Sequence, residues 1–162
     1  MTAGVSGEAW AAKVLTVSES VADGSREDRS GAALADRLGA AGFAVVERAV
    51  VPDGVAPVAE ALRRLCEGFC GLVVTTGGTG FAPNDLTPEA TSSVLERQAP
   101  GLVVAMLGAD PRGRLSRGTA GTLGRALVLN APGSPGGAVD CLESVLDVIP
   151  HALELLAGGH PH

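Results

Sequence analysis

Two aspartates stand in segments that follow predicted strands and are rich in turn-forming residues. Asp53 lies in the VPDG of residues 51–54, and Asp85 follows the glycine-rich TTGGTG of residues 75–80. Taken singly, the first aspartate fits a Pro-Asp-Gly turn, and the second fits the cap of a helix that begins near Thr87. Held at one site, two carboxylates repel each other unless a cation or a reacting group lies between them, and their oxygens suit Mg²⁺. The pair therefore predicts metal-assisted chemistry if the fold brings both residues together.

The glycine cluster before Asp85 has two interpretations. The glycines of residues 77–80 can adopt positive φ and let backbone N–H groups surround an anion, or they can form a tight strand-to-helix turn. No Lys-Ser or Lys-Thr follows at Walker spacing. The G-x-x-G-x-x-G run of residues 118–124 leads into a strand, where a dinucleotide fingerprint needs a helix. Neither common nucleotide motif is present.

A second glycine-containing loop, APGSPGG at residues 131–137, precedes the last predicted helix. Gly133 and Ser134 place N–H groups and a hydroxyl at a helix N-terminus, which is either a second anion site or an ordinary cap. The loop after the first strand contributes Ser18 and Ser30. Cationic side chains in the loops could meet a phosphate or simply be solvated. They are Arg26, Arg29, Arg112, Arg114 and Arg117.

Apolar periodicity predicts alternating strands and helices that would position these loops. Strands are predicted at residues 13–18, 43–50 and 71–76, helices from about residues 28, 55 and 87, and two short strands within residues 117–130. The helix from Thr87 is expected to end near Pro100 and to be followed by a helical segment at residues 101–108. Pro150 is expected to break the last helix.

Such alternation predicts the fold class α/β, with a single three-layer domain whose mostly parallel sheet carries helices on both faces. Parallel sheets of this kind bind ligands beyond the carboxyl ends of their strands. The loops after residues 18, 50, 76 and 130 are therefore expected to share one site, which would also bring the two aspartates to one edge.

Size and composition exclude several classes of protein. A chain of 162 residues with 46% hydrophobic residues suits one domain, with residues 1–12 and 158–162 predicted as flexible ends. A net charge of −6 and 2% aromatic residues disfavour nucleic-acid binding. No apolar run approaches the length of a membrane span, and the first residues lack a signal-peptide pattern, so a cytoplasmic protein is predicted.

Cysteine and histidine form no recognisable metal-binding pattern. Cys66 and Cys70 lie close together without a neighbouring histidine, and Cys141 stands alone, so buried free thiols are expected. His160 and His162 belong to the terminal GGHPH, which is expected to be a frayed end.

The motifs occur in the order that characterises one family. The chain resembles the molybdopterin adenylyltransferases, the MogA/MoaB-type proteins of molybdenum cofactor synthesis, over nearly its whole length. The matching motifs are TVS at 16–18, EDRSG at 27–31, VPD at 51–53, TTGGTG at 75–80, DLTPEA at 85–90, LSRG at 115–118 and PGSP at 132–135. Together, in this order, they are far more specific than any one of them.

The resemblance implies transfer of AMP from Mg·ATP to the terminal phosphate of molybdopterin, with release of pyrophosphate. It implies that Asp53 and Asp85 are the catalytic acids and hold Mg²⁺, and that the protein is a homotrimer working with a molybdate-inserting enzyme. It also implies a set of contacts to nucleotide or molybdopterin. These are Ser18, Ser30, Gly77, Gly78, Thr79, Gly80, Ser116, Gly133, Ser134 and Pro135.

Five positions depart from the family pattern. Glu19 and Ser20 stand where many relatives have Asp-Arg, Asn84 where they have arginine, and Val104 and Leu107 where they have Glu and Arg. These changes reduce positive charge around a polyanionic ligand. Two other hypotheses therefore stay open, namely a binding paralogue with weak catalysis and another pterin or nucleotide enzyme on the same fold.

Overall fold

One six-stranded sheet organises the protein, and the computed structural model describes residues 7–159. The strands are β1 (Ala11–Val17), β2 (Ala44–Val51), β3 (Gly71–Thr76), β4 (Arg97–Gln98), β5 (Ala120–Leu123) and β6 (Ala126–Ala131). They lie in the order β2-β1-β3-β6-β5-β4. The first four strands of that order are parallel, whereas β5 runs antiparallel to both β6 and β4. The predicted mostly parallel sheet is confirmed.

Helices cover both faces of the sheet. They are α1 (Glu19–Ala22), α2 (Arg29–Ala40), α3 (Val55–Cys66), α4 (Thr87–Val94), α5 (Pro100–Leu107), α6 (Pro135–Glu143) and α7 (Ile149–Leu156), with a 3₁₀ helix at Pro111–Leu115. Alternate strand residues point to opposite faces, so Val74 packs with α2, α6 and α7 while Val73 packs with α3 and α4. Two apolar clusters thus sandwich the sheet, which confirms the three-layer α/β prediction.

Burial follows the position of each strand in the sheet. All six residues of β3 and all six of β6 are buried, as expected for strands covered on both faces. Strand β2 lies at the sheet edge and alternates between exposed and partly buried residues. The central strands therefore give a rigid base for the loops that follow them.

The helix predicted from Thr87 to about Pro100 is wrong at its end. It stops at Val94, and the chain then crosses to the sheet, where Glu96 N–H donates to Thr122 O at 2.8 Å and Ala99 N–H to Ala120 O at 2.9 Å. Between these bonds lies β4, which is only two residues long. A strand of that length has no periodicity that a sequence pattern could show.

The hairpin and the last helix agree better with prediction. β5 and β6 pair around a turn at Gly124, which has φ of 60°. The helical segment after residue 134 is broken as expected, but the break precedes Pro150, which takes one of the first positions of α7. A proline is tolerated there because the first N–H groups of a helix have no intrahelical partner.

The flexible end predicted at residues 1–12 overlaps the first strand. β1 begins at Ala11, and Ala12 is fully buried, so these residues are part of the core. Residues 1–6 and 160–162, including the two terminal histidines, lie outside the described residues. No helix within residues 7–159 is both long and apolar enough to cross a membrane.

The free thiols are placed largely as predicted. Cys66 and Cys141 are buried and Cys70 is partly buried. Burial raises the pKa of the Cys66 thiol to about 11 and that of Cys141 to about 12, which keeps both protonated near neutral pH. Among the described residues no cluster of three or more His, Cys, Asp or Glu could form a metal site.

Candidate active site

Four loops meet at the carboxyl edge of the parallel strands. Val17 pairs with Val51, and Thr76 pairs with Ala131, so β1, β2, β3 and β6 end at nearly the same level. The loops that follow these strands carry the two aspartates and both glycine motifs. The sequence prediction that they share one edge is confirmed.

The glycine loop after β3 needs residues without side chains. Gly77 and Gly78 have φ of 99° and 68°, a region that favours glycine. A Cβ on Gly77 would collide with the Val17 carbonyl oxygen, and one on Gly78 would collide with the Thr87 hydroxyl. The same hydroxyl donates to Gly77 O at 2.9 Å. The loop is thus fixed against β1 and the start of α4.

Three successive N–H groups of this loop are available to an anion. Gly77 N–H donates to Ala131 O at 3.2 Å, so its amide already has a partner within the protein. In contrast, the N–H groups of Gly78, Thr79 and Gly80 donate to no acceptor among residues 7–159. Thr79 is only 4% exposed, and buried N–H groups in native proteins nearly always have a partner. A bound anion would supply it.

The two aspartate carboxylates lie beside this loop. Asp53 Oδ1 lies 3.4 Å from the point that a Cβ on Gly78 would occupy. Asp85 Oδ2 lies 2.9 Å from the corresponding point on Gly80. Both aspartates are partly buried. The fold therefore brings together two acidic groups that are 32 residues apart in the chain, at the place where the free N–H groups lie.

The surroundings of Asp53 raise the pKa of its carboxyl group. Burial raises the pKa of Asp53 above its ordinary value, and the negative charge of Asp85 raises it further, while a hydrogen bond from the Glu19 backbone N–H partly opposes both effects. Within the described part of the chain, neither carboxylate forms an ion pair with Lys, Arg or His. A cation between them would remove the repulsion.

Asp85 does not cap the following helix, which was the alternative left open by the sequence. The N-cap position of α4 is Leu86, and no side chain caps it. Instead, Asp85 Oδ2 accepts a hydrogen bond of 2.9 Å from Ala82 N–H, which closes a small turn. Its other oxygen, Oδ1, accepts no hydrogen bond from residues 7–159 and is free to bind a ligand.

A cleft of about 460 Å³ opens next to the loop. The two glycine motifs touch there, since a Cβ on Gly133 would lie 3.4 Å from Gly77 Cα. Six of the predicted binding residues line the cleft. They are Ser18, Ser30, Gly77, Gly133, Ser134 and Pro135. Ser116 lies instead in a smaller, mostly apolar cavity of about 130 Å³ that also borders Ser134.

The predicted cationic residues separate into two groups. Arg112 pairs with Asp110, Arg114 donates to a backbone carbonyl, and Arg117 is hydrogen-bonded to the glycine-loop segment. Only Arg26 and Arg29 line the cleft, and neither forms an ion pair in the described structure. They are the candidates for contact with a phosphate.

A buried polar network under the loop was not predicted. Asn130, 1% exposed, donates to the hydroxyls of Thr75 and Thr91 at 3.0 Å each and accepts from Thr119 N–H at 3.1 Å. Thr91 in turn donates to Thr87 O. The only sequence signal was a polar residue at the end of an apolar strand, which gives no indication of its partners.

The departures from the family pattern lie around the site. Asn84 is exposed at the tip of the loop, and Val104 is 74% exposed on α5. Leu107 lines the small apolar cavity. Ser20 lies 3.2 Å from Ser18, oxygen to oxygen, and Glu19 supplies the N–H that reaches Asp53. None of these changes removes the aspartates or the free N–H groups.

The fold and site define an α/β protein that has a glycine loop with free N–H groups and two carboxylates beside that loop at the sheet edge. Residues 13–151 match the family model described as a probable molybdopterin binding domain. The chain belongs to this family, as the resemblance predicted.

Relatives and solved structures agree with this assignment. The chain is 36% identical to a molybdopterin adenylyltransferase of Helicobacter pylori over 91% of its own length and 88% of that protein. The Escherichia coli K12 molybdopterin adenylyltransferase is 35% identical over 70% of this chain and 67% of its own. The crystal structure of the molybdopterin biosynthesis enzyme MoaB from Thermus thermophilus matches with a TM-score of 0.87 and 42% identity, covering 94% of this chain and 99% of that one.

Proposed function

We propose that this protein transfers AMP from Mg·ATP to the terminal phosphate of molybdopterin and releases pyrophosphate. One observation carries the proposal: the free N–H groups of Gly78, Thr79 and Gly80 lie beside two carboxylates that have no counter-cation in the described residues. This combination suits a phosphate and a divalent cation bound side by side. The names of the relatives support the same reaction.

Asp53 and Asp85 are the residues that would hold Mg²⁺. Proteins commonly bind this ion through one or two carboxylates, with waters and substrate phosphates completing its coordination, so two aspartates suffice. Burial is the main cause of the raised pKa of Asp53 and the Asp85 charge adds to it, so a cation near both carboxylates would relieve their repulsion. When bound, Mg²⁺ supplies positive charge that stabilises the developing charge on the phosphates.

The protein's own contribution to the reaction is to position the substrates. Adenylyl transfer is a displacement at phosphorus, and enzymes accelerate such reactions mainly by alignment and by stabilising charge. The N–H groups of residues 78–80 would hold phosphate oxygens, and the cleft beside Gly77 and Gly133 would hold the rest of the substrate. The attacking phosphate is already ionised near pH 7, so neither aspartate is needed as a base.

The residues that would contact the substrates follow from this arrangement. Ser18, Ser30, Ser134 and Pro135 line the cleft, and Ser116 borders the adjoining apolar cavity. The alternative, a binding paralogue with little catalysis, is not favoured because both aspartates and both glycine loops are intact.

We also propose a cytoplasmic homotrimer that delivers its product to a molybdate-inserting enzyme, which the family resemblance implies. Light scattering tests the trimer.

A direct assay tests the reaction. Wild-type protein is incubated with Mg·ATP and molybdopterin, and adenylylated product and pyrophosphate are measured together. Asp85→Ala should abolish both, because it removes one of the two carboxylates. Asp36→Ala is the matched control, since Asp36 is exposed on α2 and makes no ion pair in the described structure. If wild type gives no more product than Asp85→Ala, the proposed function is wrong.

A further inference from the structure

Arg117 makes an unusual set of contacts with the segment that carries Asp85. Its Nε donates to Gly80 O at 2.7 Å, its Nη2 to Asp85 O at 2.5 Å, and its Nη1 to both carboxylate oxygens of Glu89 at 2.9 Å. Its backbone N–H also donates to Thr79 O at 2.8 Å. Arg117 thus contacts three residues of the connection between β3 and α4, and also Glu89 in the first turn of α4.

These contacts close the base of an exposed arch. The four residues between Gly80 and Asp85 are all exposed. Within the arch itself, the described hydrogen bonds join only Ala82 and Asp85. The guanidinium therefore ties together the two ends of a segment that has few other restraints.

The contacts of its side chain leave Arg117 little capacity to bind a phosphate directly. All three of its side-chain nitrogens are engaged with protein oxygens, and Glu89 neutralises its charge. The family motif LSRG made this arginine a candidate for direct phosphate contact, but its hydrogen-bonding capacity is largely used inside the protein. Arg117 acts on the site through the backbone of the loop.

We propose that Arg117 is a positioning residue, which holds the Gly80 N–H and the Asp85 carboxylate in the arrangement that phosphoryl chemistry needs. The inference rests on the proposed adenylyl transfer. Because the guanidinium is a planar fork, it can bond two carbonyls and a carboxylate at once, whereas a lysine ammonium on a flexible stem cannot reproduce that geometry. A displacement of about 1 Å at a reacting group can lower a rate about 100-fold.

Two variants and one control test the proposal. Arg117→Gln removes the charge and most of the donors, and Arg117→Lys keeps the charge but not the fork. Arg125→Gln is the matched control, since Arg125 is exposed in the β5–β6 turn and forms no ion pair in the described chain. We expect both Arg117 variants to lose about 100-fold in kcat with little change in KM for molybdopterin, and to need more Mg²⁺ for half-maximal rate. The control should match wild type.

Hydrogen exchange tests the positioning role of Arg117 independently of enzyme activity. In the Arg117 variants, exchange should accelerate at the hydrogen-bonded amides of Ala82, Asp85 and Thr87, while the central strands keep their protection. If the assay shows that wild type is inactive, the proposed function fails, but accelerated exchange confined to these three amides still supports the positioning role of Arg117. Unchanged exchange there, or a kcat equal to that of wild type in a folded Arg117 variant, would overturn the proposal. Should Arg117→Gln fail to fold, Arg117→Lys decides on the same criteria.

Discussion

The carboxylate of Asp53 lies beside Gly78, and that of Asp85 lies beside Gly80, two residues further along the same loop. The charge of Asp85 adds to the effect of burial in raising the pKa of Asp53. Such a pair costs stability in the folded protein unless a cation joins it. The two carboxylates proposed to serve the reaction therefore lower the stability of the metal-free protein, and this loss of stability can be measured.

Asp53→Asn should abolish adenylyl transfer and stabilise the metal-free protein. Because the pKa of Asp53 is raised in the folded state, that state binds more protons than the unfolded chain between the two pKa values. The free energy of unfolding therefore falls as pH rises through this window, and at pH 7 the ionised carboxylate is destabilising. We expect Tm in EDTA at pH 7 to rise above that of wild type, measured by scanning calorimetry. Asp36→Asn is the control, and an unchanged Tm for Asp53→Asn would contradict the prediction.

Gly78→Ala should destabilise the protein and impair the site. The new Cβ would meet the Thr87 hydroxyl, and alanine at φ of 68° costs about 1–2 kcal/mol before any collision. Gly101→Ala is the matched control, because a Cβ there has no heavy atom within 4 Å and the residue lies in α5. Urea unfolding should show a loss for the first and a gain of about 0.5 kcal/mol for the second. Equal stabilities would contradict the loop geometry.

The double variant Arg26→Gln, Arg29→Gln should weaken substrate binding more than turnover. Both arginines line the cleft and form no ion pair within residues 7–159, so they are available to a substrate phosphate. We expect KM for molybdopterin to rise about 10-fold at low salt, with a smaller difference at high salt because screening already weakens the contact. Arg63→Gln, an exposed change on α3, should leave KM unchanged. A fall in kcat alone would place these residues elsewhere in the reaction.

Sequence patterns predicted five of the six strands and the sheet edge that carries the two aspartates, because these depend on local periodicity and on a general rule for parallel sheets. They could not predict the contacts of Arg117 or Asn130. Both residues act through partners far away in the chain, Glu89 for the first and Thr75 for the second. Nor could sequence patterns show that the Gly77 N–H donates to Ala131 O, since these residues meet only when β3 and β6 are paired.

Asn130→Ala should destabilise the fold and loosen the glycine loop together. The change removes the acceptor of the Thr119 N–H and the donor to Thr91, leaving buried groups unpaired at a cost of about 1–3 kcal/mol. Because Thr91 bonds to Thr87 and Thr87 to Gly77, the effect should reach the loop and lower kcat. Asn84→Ala, at an exposed position, should change the free energy of unfolding by less than about 0.5 kcal/mol. Urea unfolding and the pyrophosphate assay measure the two effects. An Asn130 variant with reduced stability but wild-type kcat would show that the network supports the fold and not the site.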